Sequence, residues 1–118
     1  MTRDEYLEYC ETIVGAVMDK PFRNDDYSTV VRHIDTMKWF GLLMLLDGKD
    51  VVDLKCDPME AEFLRSAYSG VIPAYHMNKV HWNTVFLDSD VPDEEIFRMT
   101  MNSYDLTAKK KSIKNKNV

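Results

Sequence analysis

The dipeptide Asp47-Gly48, placed between two apolar runs, constrains the fold of this chain more than any other feature. Both central residues of a tight hairpin turn need a positive φ, which aspartate tolerates and glycine adopts freely. The pair therefore predicts a two-residue turn that joins strands over 37–46 and 49–54.

Side chains alternate between the two faces of a strand, so this register divides the hairpin into two sets. We predict that one set faces the core: Trp39, Leu43, Leu45, Val52, Leu54 and Cys56. The other set contains Phe40, Leu42, Met44, Val51, Asp53 and Lys55. This second face is too apolar for an ordinary solvent-facing surface, which makes it a candidate binding surface.

Three helices are predicted from their start signals. Thr2 and Glu5 form a capping-box pattern, Pro58 suits a first helical position, and Pro92 is followed by acidic residues that favour a helix N-terminus. The predicted helices span 3–17, 58–68 and 92–109, and the remaining predicted strands lie at 28–34 and in a second hairpin within 71–88.

Strands that cluster in hairpins, apart from the helices, indicate an α+β domain. The predicted order is α-β-β-β-α-β-β-α, in two layers, with a five-stranded antiparallel sheet and the helices on one face. We expect residues 1–111 to form this single domain and 112–118 to be a disordered basic tail. The side chains expected to be buried include Trp39, Leu43, Leu54 and Leu64.

Composition places the chain among ordinary globular proteins, with 45% hydrophobic and 30% charged residues. Its longest apolar run, 39–46, is too short to span a bilayer, and its N-terminus lacks an apolar export signal. Cys10 and Cys56 are both predicted to face the core, and two cysteines make no disulfide framework. We therefore expect a reduced, cytoplasmic monomer without membrane contact.

Charge is unevenly distributed along the chain, although the formal net charge is only −5. The stretch from Lys109 to Lys116 holds five lysines and no acidic residue. Without them, the 15 basic residues fall to 10 against 20 acidic ones, a net charge of −10. Nucleic-acid-binding proteins usually present a basic face, and this acidic body does not itself indicate one.

Residues 75–85 have the sequence Tyr-His-Met-Asn-Lys-Val-His-Trp-Asn-Thr-Val, which concentrates polar side chains around one turn. A two-residue turn at Asn78-Lys79 would pair His76 with His81 across the strands. We predict that the tip of this hairpin is the functional site, partly exposed at one end of the sheet. The candidate nucleic-acid-binding or ligand-binding residues are Lys55, His76, Asn78, Lys79, His81, Trp82 and Asn83.

The chain closely resembles the MmcQ/YjbR family of small bacterial proteins in four segments: Lys55-Cys-Asp-Pro58, the motif at 75–85, Val91-Pro-Asp-Glu-Glu95 and Asn102-Ser-Tyr104. The resemblance spans nearly the whole chain, and the motif at 75–85 is its most specific part. It implies a fold similar to the frataxin/CyaY type. It also implies a DNA-binding label with two wing-like hairpins, here at Asp47-Gly48 and Asn78-Lys79, and no established reaction.

Two metal hypotheses compete with simpler structural explanations. His76 and His81 offer two imidazoles, but zinc sites need three or four protein ligands and no third is evident nearby. The frataxin-like fold invites an iron site on the acidic face of the first helix, at Asp4, Glu5, Glu8 and Glu11. Any solvated helix start carries such residues, so we predict no metal and no cofactor.

Two functions of different classes remain. The first is a DNA-binding module that uses the hairpins as wings, with the lysines and histidines of the predicted site as cations or donors. The second is an adaptor that binds another protein or a small ligand on the sheet face around Phe40, Leu42, Met44 and Val51. We expect no enzyme, because the sequence has no glycine-rich phosphate loop, zinc-hydrolase motif or nucleophile elbow.

Overall fold

The computed structural model describes residues 1–109 and confirms the predicted α+β class. The helices are α1 (Arg3–Glu11), α2 (Pro58–Ala67) and α3 (Asp93–Thr107). The strands are β1 (Ala16–Asp19), β2 (Thr29–His33), β3 (Trp39–Leu46), β4 (Lys49–Lys55), β5 (Val71–Pro73) and β6 (Trp82–Phe86). The tail predicted over 112–118 lies outside the described residues. No helix within 1–109 is long and apolar enough to cross a bilayer.

The six strands form one antiparallel sheet in the order β1-β2-β3-β4-β6-β5. The helices pack against one face of it, which we call the helix face. The main core lies there and joins Tyr6, Cys10, Ala61, Leu64, Ile96 and Met99 of the helices to Val31, Leu43, Val52, Leu54 and Val85 of the strands. The opposite face, which we call the open face, carries a second buried cluster of Val30, Leu42, Met44 and Val51.

The central hairpin has the predicted register, with Leu46 opposite Lys49 and Leu43 opposite Val52. Asp47 and Gly48 have φ angles of 51° and 75°, as a two-residue turn with positive φ at both central positions requires. The alternation of side chains then places Leu43 and Val52 in the main core, as predicted. Leu45, close to the turn, is 49% exposed and outside that core, so the prediction that it faces the core was wrong.

A β-bulge reverses the predicted faces at the start of β3. Arg32 pairs with Trp39 but Val31 pairs with Gly41, so Phe40 is an extra residue opposite no partner on β2. An inserted residue breaks the strict alternation of side chains. Phe40 therefore enters the main core, while Trp39 is half-buried and packs on the open face. The prediction that Trp39 is a buried core residue was wrong for this reason.

The sheet gains a sixth strand because the first helix is shorter than predicted. The helix ends at Glu11 instead of continuing to residue 17. Gly15 has a φ of 83°, a left-handed conformation that a helix interior does not contain, and it turns the chain into β1. Val14, assigned to the apolar stripe of the longer helix, is instead exposed in this turn.

The two cysteines are buried and free, as predicted. Burial raises the pKa of the Cys10 thiol to about 12 and that of the Cys56 thiol to about 11. Neither side chain therefore offers a thiolate near neutral pH.

The predicted capping box forms at the start of α1. The Glu5 amide donates to Thr2 Oγ1 at 3.1 Å, and the Thr2 amide donates to Glu5 Oε1 at 2.8 Å.

The bulge predicts which aromatic side chain at the start of β3 stabilises the core. Phe40→Ala should lower the free energy of unfolding by about 3–5 kcal/mol, and Leu43→Ala by about 2–5 kcal/mol, because both side chains are fully buried. Leu45→Ala is the matched control, since Leu45 is 49% exposed and its loss should cost under about 0.5 kcal/mol. Urea denaturation measures all three, and a Phe40→Ala cost as small as that of the control would contradict the bulge assignment.

Candidate binding groove on the open sheet face

The connection between β5 and β6 is a loop over residues 74–81, which we call the 74–81 loop, and the two-residue turn predicted there was wrong. Val71 pairs with Val85 and Pro73 with Asn83, one residue out of the predicted register, so the predicted His76–His81 pair does not form. The Asn78 side chain explains the difference. Its Oδ1 accepts hydrogen bonds from the amides of Val80 (2.8 Å) and His81 (3.2 Å), an Asx-type turn inside a longer loop.

The 74–81 loop is tied to the strands and to itself. The Tyr75 amide donates to Thr84 Oγ1 on the open face at 3.0 Å, and the Lys79 ammonium donates to the Ala74 carbonyl at 2.5 Å. The loop therefore lies against the sheet near β6 and does not project from it as a free wing.

Arg65, on α2, clamps the other side of this loop. Its Nε donates to Asn83 Oδ1 at 2.6 Å, and its Nη2 donates to the carbonyls of Lys79 and, at 3.3 Å, of Trp82. Asn83 in turn donates to the Ala61 carbonyl at 3.4 Å. Sequence reasoning missed Arg65, although a cation four residues after the core-facing Ala61 was a usable signal that its side chain crosses a buried surface.

The structure separates the seven predicted site residues by their roles. Asn83 is only 2% exposed and its amide group is held by α2, so the expectation that it lies at an exposed tip was wrong. Side-chain atoms of Asn78 and Lys79 bond to the loop itself. The other four are His76 and His81, exposed on the loop, and Lys55 and Trp82, half-buried and paired in register on β4 and β6.

A groove of about 710 Å³ lies on the open face. Its floor is formed by strand β3, and its two sides are formed by the segment 20–28, between β1 and β2, and by the 74–81 loop. The principal lining side chains are Phe22, Arg23, Trp39, Leu42, Met44 and Met77. The Phe22 ring meets the Trp39 ring edge-on, with centroids 5.8 Å apart, so one side of the groove is packed onto its floor.

The groove has two principal charged groups, the Asp25 carboxylate, which is held by hydrogen bonds, and the Arg23 guanidinium, which is not. The Ser28 and Tyr27 amides donate to Asp25 Oδ1 at 2.9 and 3.0 Å, which lowers the pKa of this carboxyl and fixes the segment 20–28. Arg23 makes no ion pair or hydrogen bond with the residues that the structure describes. Within 1–109, no group of three or more His, Cys, Asp and Glu side chains is arranged to hold a metal ion.

Asp53 is a buried carboxylate beside the groove. It pairs in register with Leu42 of the groove floor and with Thr84, whose hydroxyl donates to Asp53 Oδ1. Burial raises the pKa of the Asp53 carboxyl, while the Thr84 hydroxyl and the nearby His76 amide act in the opposite direction. The sequence placed Asp53 on this face but gave no sign that it would be covered.

Known proteins share the sequence pattern and the fold of this chain. The family model described as YjbR matches residues 12–106. The Escherichia coli (strain K12) protein YjbR is 36% identical over 104 residues, 88% of this chain and 85% of that protein. The Bacillus subtilis (strain 168) protein YyaQ is 31% identical over 117 residues, 91% of this chain and 98% of that one. Both are described as uncharacterized proteins, so their descriptions suggest no ligand for the groove.

Two solved structures are similar over their whole fold. A crystal structure of a Pseudomonas syringae protein superposes with a TM-score of 0.84 at 34% identity, covering 92% of this chain and 100% of that chain. The crystal structure of a Deinococcus radiodurans protein superposes with a TM-score of 0.81 at 30% identity, covering 98% of this chain and 86% of that chain.

The Arg65 clamp predicts a local and measurable effect. Arg65→Ala leaves Asn83 and the Lys79 and Trp82 carbonyls without their donor, so it should lower the free energy of unfolding by about 1–3 kcal/mol. Arg98→Ala, which removes exposed ion pairs to Glu95 and Glu60, is the control and should cost about 1 kcal/mol or less. Denaturant titration of both variants checks the difference, and equal costs would show that the clamp is a surface contact only.

Proposed function

The chain belongs to the YjbR family, and we propose that this member is a small binding protein that takes an apolar ligand in the groove between the segment 20–28 and the 74–81 loop. The observation that carries the proposal is the groove floor itself. Trp39, Leu42 and Met44 form an apolar surface on the sheet face that no helix of the described residues covers. Concave apolar sites with few polar groups are typical of small-ligand binding.

The state of the loop's polar groups favours the groove over the loop as the binding surface. Asn83 is buried, Asn78 completes its own turn, and the Lys79 ammonium is bonded to a carbonyl of the same loop. Each internal bond leaves fewer donors and acceptors for a ligand, and turning the group away from the loop would cost that bond. The apolar floor carries no such cost.

Binding without catalysis fits the nucleophiles that the fold supplies. Both cysteines lie in the main core with their thiol pKa values raised to about 12 and about 11. Among residues 1–109, neither the His76 ring nor the His81 ring is hydrogen-bonded to a serine or a cysteine, as the base of a catalytic triad would be. We therefore propose a binding protein and not an enzyme.

Titration with the neutral fluorescent probe N-phenyl-1-naphthylamine tests the groove. Backbone chemical-shift changes should concentrate at Phe22, Trp39 and Met77, and Met77→Asp should weaken binding at least about tenfold, because it places a charge in an apolar site. Phe63→Asp is the matched control, since Phe63 is 66% exposed on α2 and lies outside the groove lining. Shifts confined to α2, or equal losses in both variants, would count against the groove.

DNA binding is a second proposal, and it is favoured by the two exposed loop histidines and by the five lysines from Lys109 to Lys116. Affinity for duplex DNA should then fall steeply with salt, because each lysine that neutralises a phosphate contributes about 0.9 to the slope of log K against log salt. Replacing the five lysines with glutamine should flatten the slope, whereas Met77→Asp should leave it unchanged. No binding at about 0.1 mM protein and about 50 mM salt would exclude this function.

A further inference from the structure

We propose that Asp53 is a positioning residue that holds the 74–81 loop against the sheet and thereby sets the side of the groove that His76 and Met77 form. The part of this inference that concerns the groove rests on the proposed function. The part that concerns the loop stands on the free protein alone.

The geometry places Asp53 at the point where loop and sheet meet. Its side chain is fully buried, on the central strand β4, and on the open face. Thr84 joins it to the loop, since the Thr84 hydroxyl donates to Asp53 Oδ1 and accepts from the Tyr75 amide at 3.0 Å. The Thr84 hydroxyl therefore bridges the Asp53 carboxyl and the Tyr75 amide of the loop backbone.

The second carboxyl oxygen is the feature that ordinary packing leaves unexplained. Asp53 Oδ2 is buried and has no hydrogen-bond partner among residues 1–109. A buried polar atom without a partner costs free energy and calls for a specific explanation. The backbone of His76 lowers the pKa of this carboxyl, yet Oδ2 itself has no partner within hydrogen-bond geometry among the described residues.

Among residues 1–109, the titratable side chains that lower the pKa of the Asp53 carboxyl belong to the loop. His76 and Lys79 both favour its ionised form, while the neighbours from β3 and β6, Leu42 and Thr84, carry no charge. The attraction therefore runs between β4 and the 74–81 loop. An ionised Asp53 draws the loop toward the open face, and a neutral one releases it.

This arrangement predicts opposite effects on the loop and on the whole fold. The double change Asp53→Leu/Thr84→Val replaces an incompletely paired buried carboxyl and its hydroxyl partner by apolar side chains, so it should raise the free energy of unfolding near neutral pH. The same change removes the charge that attracts the loop. The loop should become less protected in a protein that is globally more stable, which a purely structural role of Asp53 would not produce.

The pH dependence of stability has a defined sign. Because burial raises the pKa of the Asp53 carboxyl, the folded protein holds this proton more tightly than the unfolded chain does. The group therefore contributes stability at low pH that is lost as the pH rises through the raised pKa. The free energy of unfolding of Asp53→Leu, measured relative to that of the wild-type protein, should therefore rise over the same pH range.

Amide hydrogen exchange of the free protein tests the loop directly. In Asp53→Leu and Asp53→Asn, amides of residues 75–81 should exchange about tenfold faster or more, with β4 and β6 unchanged. Asp90→Asn is the matched control, because Asp90 accepts hydrogen bonds from the amides of Ser69 and Gly70 at the other end of β5. This variant should accelerate exchange of the amides at 69–70 only. Should Asp53→Asn fail to fold, Thr84→Val removes the bridging hydroxyl and should loosen the same amides.

Binding of N-phenyl-1-naphthylamine to the same variants separates the two proposals. Faster loop exchange with affinity several-fold weaker supports both. Faster loop exchange with no probe binding to any variant, the wild-type protein included, supports the loop role of Asp53 and contradicts the proposed function. The loop role of Asp53 is overturned if the 75–81 amides exchange at the wild-type rate in both Asp53 variants, or if Asp90→Asn accelerates them as well. The groove role is overturned if the probe binds all variants equally although the loop amides exchange faster.

Discussion

The pairing of β3 with β4 is the interaction on which the rest of the structure depends. These two strands lie at the centre of the sheet, and each pairs on its other edge with β2 or β6. Their register decides which side chains meet the helices and which reach the open face, because a shift of one residue would exchange the two sets. The turn at Asp47-Gly48 fixes that register through local backbone geometry, before any helix needs to be in place.

Two apolar clusters with different roles follow from this pairing. The larger lies beneath the helices and holds the domain together. The smaller, around Leu42 and Met44, is also buried, but it lies on the open face and borders the groove. The bulge at Phe40 assigns one aromatic side chain to each cluster. It places the Phe40 ring in the main core and leaves Trp39 on the open face, where it forms part of the groove floor. A single extra residue thus contributes to both stability and the candidate site.

Local patterns predicted local structure well, and long-range contacts account for the failures. The turn at Asp47-Gly48, the capping box at Thr2 and the start of α2 depend on neighbouring residues and were confirmed. The faces of Trp39 and Phe40 depend on a bulge against β2, which no local pattern signals. The expected exposure of Asn83 was wrong for the same reason, because Asn83 is buried and its side chain is bonded to Arg65 of another element. The groove needs two segments that are distant in sequence, so only its apolar floor was predictable.

The placement of the groove between connecting segments has a consequence for divergence among relatives. Neither the segment 20–28 nor the 74–81 loop contributes a side chain to the main core beneath the helices. Substitutions along the sides of the groove can therefore accumulate without unfolding the domain, as is general for loops on a rigid scaffold. Relatives that share about a third of their residues with this chain can keep its backbone while these two segments differ, so conservation of the fold is no evidence of a common ligand.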